Sequence, residues 1–302
     1  MNKIIGSIVN IKRFEIHDGD GLRTTLFVKG CPLKCRWCHN PESISPRSEL
    51  GYYAHKCIGC GSCVAACPNG AHTVDQNGHV FHRDRCKACG KCAEVCMADA
   101  LLFYGKRVTP EEILPRLTAD VDFYKNSGGG VTISGGEPLL QSEFCAEVLR
   151  LLKEQEINTA VDTCLFASRE QLDRVIPYTD TFLVDVKAMD TDLHCALTGQ
   201  PNTRILENIR YLDALGKYIE VRIPYIPGQN SGEIEKIAEF LATVRHLKGV
   251  RVLPYHNLSG TKYASLDMQY PLASENTPIP TKEETEAACD RLRAHGIKVL
   301  TK

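Results

Sequence analysis

Eleven of the chain's fifteen cysteines lie between Cys31 and Cys96, in three groups. Cys57, Cys60, Cys63 and Cys67, in the run CIGCGSCVAACP, recur 29 residues later as Cys86, Cys89, Cys92 and Cys96, in CKACGKCAEVC. A CxxCxxCxxxC run turns three thiolates onto one cubane, and its fourth cysteine commonly ligates the other cluster of a two-cluster ferredoxin. The repeat therefore assigns Cys57, Cys60, Cys63 and Cys96 to one 4Fe-4S cluster, and Cys86, Cys89, Cys92 and Cys67 to a second. Zinc is the alternative, but zinc sites close on four ligands in two separated pairs, unlike two triplets plus one. In the second copy Met97 replaces Pro68, which touches a neighbour of the cluster and not a ligand.

The remaining group has a different logic. Cys31, Cys35 and Cys38, in GCPLKCRWCHNPE, supply only three thiolates, and none of Pro32, Arg36, His39 or Asn40 completes an obvious fourth position. A cubane held this way keeps one iron open. A four-thiolate cluster passes electrons only through its outer sphere, whereas an open iron can bind a substrate and transfer an electron into it directly. His39 as fourth ligand is the bland alternative, and it would have to double back from Cys38.

Composition fits a metal-rich, intracellular protein. With 36 Lys plus Arg against 37 Asp plus Glu, overall charge makes no case for nucleic acid or an anionic membrane. No apolar run approaches the roughly 18 residues that a spanning helix needs. The amino-terminal MNKIIGSIVNIKRFE lacks the sustained apolar stretch of a secretory signal, so the expected location is the cytoplasm. In a reducing cytosol, so many thiols point to metal ligation before disulfides.

These residues must be positioned by regular elements, and the rest of the sequence supplies them. Apolar runs at 25–30, 131–134, 159–163, 182–187, 218–224 and 250–254 read as strands. Residues 141–155 carry Phe144, Val148, Leu151 and Leu152 on one helical face. Capping boxes mark helix starts at Thr109 with Glu112, Ser168 with Gln171, and Thr281 with Glu284. Alternating strands and helices imply an α/β fold with a parallel sheet, and six units suggest a partial (β/α)6 TIM-type barrel. The barrel is assigned to residues 1–50 and 105–302, with a small α+β ferredoxin-like domain inserted at 51–104.

Each strand ends in something chemically loaded. Cys31 to Cys38 follow the first, Gly135, Gly136 and Glu137 the second; Asp162 and Thr163 lie on the third, Asp185 and Lys187 on the fourth, Arg222 on the fifth, and His256 follows the sixth. In parallel barrels the carboxyl ends of the strands carry the active site. Each feature also has a plain reading: SGGEP as a tight strand-to-helix turn, Asp185 with Lys187 as an internal ion pair, His256 as a satisfied loop histidine, and Arg222 as a surface charge.

The chain resembles the radical S-adenosylmethionine superfamily through Cys31, Cys35, Cys38 and Gly135-Gly136-Glu137-Pro138. More narrowly it resembles the glycyl radical enzyme activating enzymes, through GDGLRTTLFVKGCPLKCRWCHNPES, GGGVTISGGEPLLQ, VDT, DVK and LPYH in family order. The resemblance implies that the open iron chelates S-adenosylmethionine, with the Gly135 to Glu137 turn at its amino end. By the same match Asp162, Thr163 and Asp185 bind near the methionine carboxylate, in some members through a monovalent cation. Lys187, Arg222 and His256 contact carboxylate and ribose, and Trp37 lies near adenine or simply shields the cluster. The implied reaction is reductive cleavage to a 5′-deoxyadenosyl radical, which takes a hydrogen from a glycine of a partner glycyl radical enzyme. Flavodoxin or ferredoxin is the implied electron donor, and a monomer the implied state.

Two other readings share these residues, a radical enzyme acting on a small molecule and a plain electron carrier. A carrier has no use for a three-cysteine loop paired with a Gly-Gly-Glu turn. Asp18 and Asp20, in DGDG, either touch the partner's glycine loop or serve ordinary turn chemistry.

Overall fold

A computed structural model describes residues 3–301. Its strands are β1 (Gly6–Glu15), β2 (Arg23–Val28), β3 (Glu49–Tyr52), β4 (His72–Asp75), β5 (Gly78–Phe81), β6 (Leu101–Tyr104), β7 (Lys106–Val108), β8 (Gly130–Gly135), β9 (Asn158–Thr163), β10 (Thr181–Asp185), β11 (Tyr218–Tyr225) and β12 (Leu247–Pro254). Eight form one sheet in the order β12-β11-β10-β9-β8-β2-β1-β7. The six strands read from apolar runs, β2 and β8 to β12, pair in parallel throughout. They are apolar because helices and the strands' own neighbours bury them: Leu26, Val131, Ile133, Val161, Val184 and Val221 have no exposed surface.

The sheet also extends beyond those six strands. β1 pairs antiparallel with both β2 and β7, adding two strands that the sequence reading does not include. β1 carries Asn10, Lys12 and Arg13 among its apolar residues, and β7 is only three residues long, so neither makes a clear apolar run.

Helices pack behind the parallel strands. Helix Ser142–Glu154 buries Phe144, Val148, Leu149 and Leu152, while Leu151, expected on that face, is only half-buried. All three capping boxes form. At helix Arg169–Val175, Ser168 Oγ accepts from the Gln171 N–H at 3.2 Å, and Gln171 Oε1 accepts from the Ser168 N–H at 2.9 Å. Ser168→Ala is therefore expected to cost about 1 kcal/mol, read as a lower urea midpoint with an unchanged slope.

Between β2 and β7 the chain leaves the main sheet and builds two antiparallel pairs, β3 with β6 and β4 with β5. The 29-residue repeat is also a repeat of backbone shape. Gly59, Gly61 and Gly70 have φ of 68°, 76° and 59°, and their counterparts Ala88, Gly90 and Asp99 have 48°, 81° and 49°. A left-handed Ala or Asp is costly and persists only where its surroundings impose it. Gly61 and Gly90 each precede a one-turn helix, Ser62–Ala66 and Lys91–Glu94, that buries one cysteine, Cys63 or Cys92. These two thiols pack with Leu50 and Leu101 into a small core of their own.

Candidate active site

The Cys31–Cys38 loop follows β2 and is clamped by its backbone. Gly30 and Cys31 N–H groups donate to Ser43 and Ile44 carbonyls at 2.7 and 3.0 Å. Lys34 and Arg36 N–H groups donate to Thr198 and Leu197 carbonyls at 2.7 and 3.0 Å. The Gly-Gly turn ending β8 lies directly on this loop, where Gly136 and Glu137 N–H groups donate to Val28 and Gly30 carbonyls. A Cβ on Gly135 would sit 2.4 Å from Val28 backbone atoms, and one on Gly136 2.2 Å from the Gly30 oxygen. Only glycine fits that approach.

A cavity of about 810 Å³ opens beside this contact. It is lined by all three loop cysteines, by Trp37, and by Gly135 and Gly136. Asp162 and Thr163 of β9, Asp185 and Lys187 at the end of β10, Arg222 of β11 and His256 beyond β12 complete it. Of the thirteen residues that the sequence singles out apart from the insert cysteines, the structure brings twelve to one cavity. The thirteenth, Glu137, is fully buried and lies behind the cavity wall, not on it. Its carboxylate accepts from Thr163 Oγ1 at 2.6 Å, the Cys164 N–H at 2.8 Å and the Leu139 N–H at 3.0 Å. Glu137 ties the end of β9 to the turn after β8, while Gly135 and Gly136 face the cavity.

The cavity's charges are arranged in pairs. Lys187 Nζ lies 2.5 Å from Asp185; burial alone would depress this ammonium, but the negative charges of Asp185 and of Cys35 in its thiolate form outweigh burial and raise its pKa. Asp162 accepts from Ser134 Oγ at 2.6 Å and faces Arg222 at 3.3 Å, yet burial pushes its pKa up to about 6. Arg222 also donates to the His17 carbonyl at 2.6 Å and lies 3.7 Å from Asp18. Its Nε is buried without a partner. An orphaned donor at a cavity wall costs about 1–3 kcal/mol unless a ligand accepts from it.

Burial pushes the Cys35 and Cys38 thiols up to about 12. Three bare thiolates would not persist there, whereas a metal deprotonates coordinating thiols outright, so this donor set fits a metal centre. At the rim His39 stacks on His256 with ring centroids 4.0 Å apart, and burial, reinforced by His256, lowers the His39 pKa to about 4. His39 Nε2 faces the His256 carbonyl at 3.2 Å.

Two further residues line the cavity. Cys164, a lone cysteine with no motif to flag it, lines the cavity and hydrogen-bonds through its thiol to Cys31. That contact, with burial, raises the Cys164 pKa well above the ordinary thiol value, and the same contact lowers that of Cys31. Its position directly after the Asp162-Thr163 pair was the only available signal. Asp18 also lines the cavity, held by Thr25 Oγ1 at 2.8 Å. Asp20 instead pairs with Lys248 away from the cavity, which separates the two aspartates of DGDG.

Among the insert cysteines, Cys57, Cys60, Cys63 and Cys96 line one small cavity together with His79 and Leu101. Cys92 sits within electrostatic reach of Cys67, Cys86 and Cys89, and burial first, then these neighbours, push its pKa up to about 11. Cys57, Cys60, Cys63 and Cys96 thus share one cavity, and Cys67, Cys86 and Cys89 are neighbours of Cys92. Two histidines missed by the sequence reading lie at the first four, where burial lowers the pKa of both, that of His72 to about 4.

The sequence profile of the Radical SAM superfamily matches residues 25–241. The chain belongs to that superfamily. It is 41% identical to the isethionate sulfite-lyase activating enzyme of Desulfovibrio desulfuricans, over 88% of each chain. It is 37% identical to the choline trimethylamine-lyase activating enzyme of Oleidesulfovibrio alaskensis, over 97% of each. Within the superfamily it is accordingly an activating enzyme for a glycyl radical enzyme, an oxidoreductase. Among solved structures, Streptococcus suis SuiB bound to its precursor peptide SuiA matches 89% of this chain and 45% of its own, with a TM-score of 0.52 and 15% identity, a likeness of fold alone. Among the described residues no helix is long and apolar enough to cross a membrane.

Proposed function

We propose that Cys31, Cys35 and Cys38 hold a 4Fe-4S cluster with one iron free of protein ligands, and that S-adenosylmethionine occupies the cavity beside it. When bound, the cluster supplies one electron to the sulfonium, giving methionine and a 5′-deoxyadenosyl radical that takes a hydrogen from the α carbon of a partner glycine. The observation that carries this reading is one cavity lined by the three-cysteine loop, the Gly-Gly turn and the charged residues of β9, β10 and β11.

In this reading the backbone of Gly135 and Gly136 receives the amino end, and Glu137 braces Thr163 and Cys164 from below. Lys187 and the unpartnered Nε of Arg222 meet the carboxylate and ribose oxygens, with His256 at the rim. Trp37, packed with Leu197, Tyr255 and Tyr263, offers an apolar face to adenine. Lys187 and Arg222 already counter Asp185 and Asp162, so no separate monovalent cation is assigned.

Residues 1–50 and 105–302 are read as a partial (β/α)6 barrel and 51–104 as a ferredoxin-like domain with two more 4Fe-4S clusters. The grouping of Cys57, Cys60, Cys63 and Cys96 around one cavity supports that. The protein works as a monomer in the reducing cytoplasm, with flavodoxin or ferredoxin as donor. Mixing it anaerobically with its partner, reductant and S-adenosylmethionine is expected to give the doublet of a glycyl radical in electron paramagnetic resonance (EPR). Turnover into a modified metabolite with no protein radical would contradict this.

If the insert relays electrons, Cys60→Ala with Cys89→Ala is expected to abolish deoxyadenosine formation driven by reduced flavodoxin and to spare most of that driven by dithionite. Equal losses under both reductants would contradict a relay.

A further inference from the structure

The two halves of the insert repeat their cysteines and their backbone, but not their hydrogen bonding. His79, on β5, lies against the first group only: its Nδ1 is 3.4 Å from Cys57 Sγ and its Nε2 3.7 Å from Cys63 Sγ. That Nε2 is also 3.0 Å from Nδ1 of His72. Tyr52 packs edge-on against the His79 ring, with centroids 4.5 Å apart. Around the second group, among the described residues, backbone N–H groups alone reach sulfur, from Ala71 to Cys67 and from Ala88 to Cys86, each at 3.3 Å. The positions 29 residues after His72 and His79 are Leu101 and Val108, which have no N–H to offer from their side chains.

The tautomers follow from what each atom faces. A metal-bound thiolate sulfur only accepts, and the contact to Cys57 at 3.4 Å is shorter than that to Cys63 at 3.7 Å, so the proton is assigned to His79 Nδ1 and the Nε2 approach to Cys63 is not a hydrogen bond in this tautomer. His79 Nε2 then accepts from the Nδ1–H of His72. The last nitrogen of the chain, His72 Nε2, is left as a buried lone pair, and it has no partner, with His72 only 2% exposed. It is one of five such side-chain atoms among the described residues, and an unpaired buried polar atom calls for an explanation beyond ordinary packing.

On the reading that the insert holds two clusters, we infer that His79 donates an N–H hydrogen bond to the Cys57 sulfur, with His72 fixing its tautomer, and so makes the cluster of Cys57, Cys60, Cys63 and Cys96 the more easily reduced of the two. Hydrogen bonds to ligating sulfurs are among the determinants of cluster potential, because they stabilise the more negative, reduced state. Each cluster takes one electron from an external reductant, and no proton moves. The insert is then a graded pair, in which the first electron settles beside His79.

The test uses the full chain carrying Cys31→Ala, Cys35→Ala and Cys38→Ala, so that only the insert binds iron. About eight irons per chain are expected; far fewer would overturn the two-cluster reading and this inference with it, while the following results bear on the inference alone. A redox titration with dithionite, followed by EPR, is expected to give two midpoint potentials. His79→Leu should lower only the higher one, by about tenfold in the reduced-to-oxidised ratio at fixed potential, or about 59 mV for a one-electron couple. His79→Gln, which keeps an N–H donor, should retain most of the wild-type value. In the parent chain without any substitution at His79, isotopically labelled histidine is expected to show a nitrogen hyperfine coupling at one reduced insert cluster, a readout that needs no variant to fold. Unmoved potentials in His79→Leu, equal shifts of both, loss of four irons (which would make His79 a ligand), or no histidine coupling would each overturn the inference.

Discussion

Cys35→Ala is expected to remove one cubane, about four irons per chain, and to abolish deoxyadenosine formation under any reductant while leaving the insert's iron in place. The loop that carries Cys35 is held by backbone hydrogen bonds to Leu197, Thr198, Ser43 and Ile44, none of which uses the thiol. The loss should therefore be chemical, with the fold retained, and a thermal melt of the iron-free protein should move little. Cys195→Ala is the matched control. Cys195 stands on helix Thr191–Thr198 and does not line the cavity, so iron content and cleavage should be unchanged. Near-wild-type cleavage by Cys35→Ala would contradict the assignment of this loop.

Gly136→Ala is the second large effect, and it works through geometry. The new Cβ would meet the Gly30 oxygen at 2.2 Å and the Ser43 oxygen at 2.7 Å, both backbone atoms that cannot rotate away. Either the turn after β8 or the segment leading into Cys31 must move. Such overpacking costs about 1–3 kcal/mol, and displacement of the loop by even about 1 Å can lower the rate of S-adenosylmethionine cleavage on the order of a hundredfold. Cleavage by the folded variant and its urea midpoint should both fall. At Gly232 an added Cβ meets nothing within 4 Å, so Gly232→Ala should change neither. A Gly136→Ala variant with full cleavage and stability would show that this close approach is dispensable.

The parallel sheet was legible because strands buried on both faces are written as nearly continuous apolar runs, as in TLFV and FLVDV. β1 and β7 were not, because a strand at a sheet margin carries Lys12, Arg13, Lys106 and Arg107 on open faces and its pairing is set by distant partners. Spacing revealed the cysteine loop and the doubled motif, since ligands of one cluster must be close in sequence when a short loop presents them. The pairing of Asp185 with Lys187 was also readable, although β10 ends at Asp185 and Lys187 lies just beyond it. What spacing could not reveal is orientation. Glu137 belongs to the turn motif but points beneath it, Asp20 turns outward to Lys248, and Cys164 reaches Cys31 only through the fold. His72 and His79 are equally silent in sequence, since a hairpin of two short strands, β4 and β5, sets their approach to Cys57 and Cys63.

Whether one iron at Cys31, Cys35 and Cys38 accepts a ligand from outside the protein is settled by recording EPR of the anaerobically reduced protein with and without S-adenosylmethionine labelled at its amino nitrogen. The predicted result is a changed signal from this cluster, absent in Cys35→Ala, with hyperfine coupling to the labelled nitrogen. An unaltered spectrum, or coupling to a protein side chain at that iron instead, would contradict it.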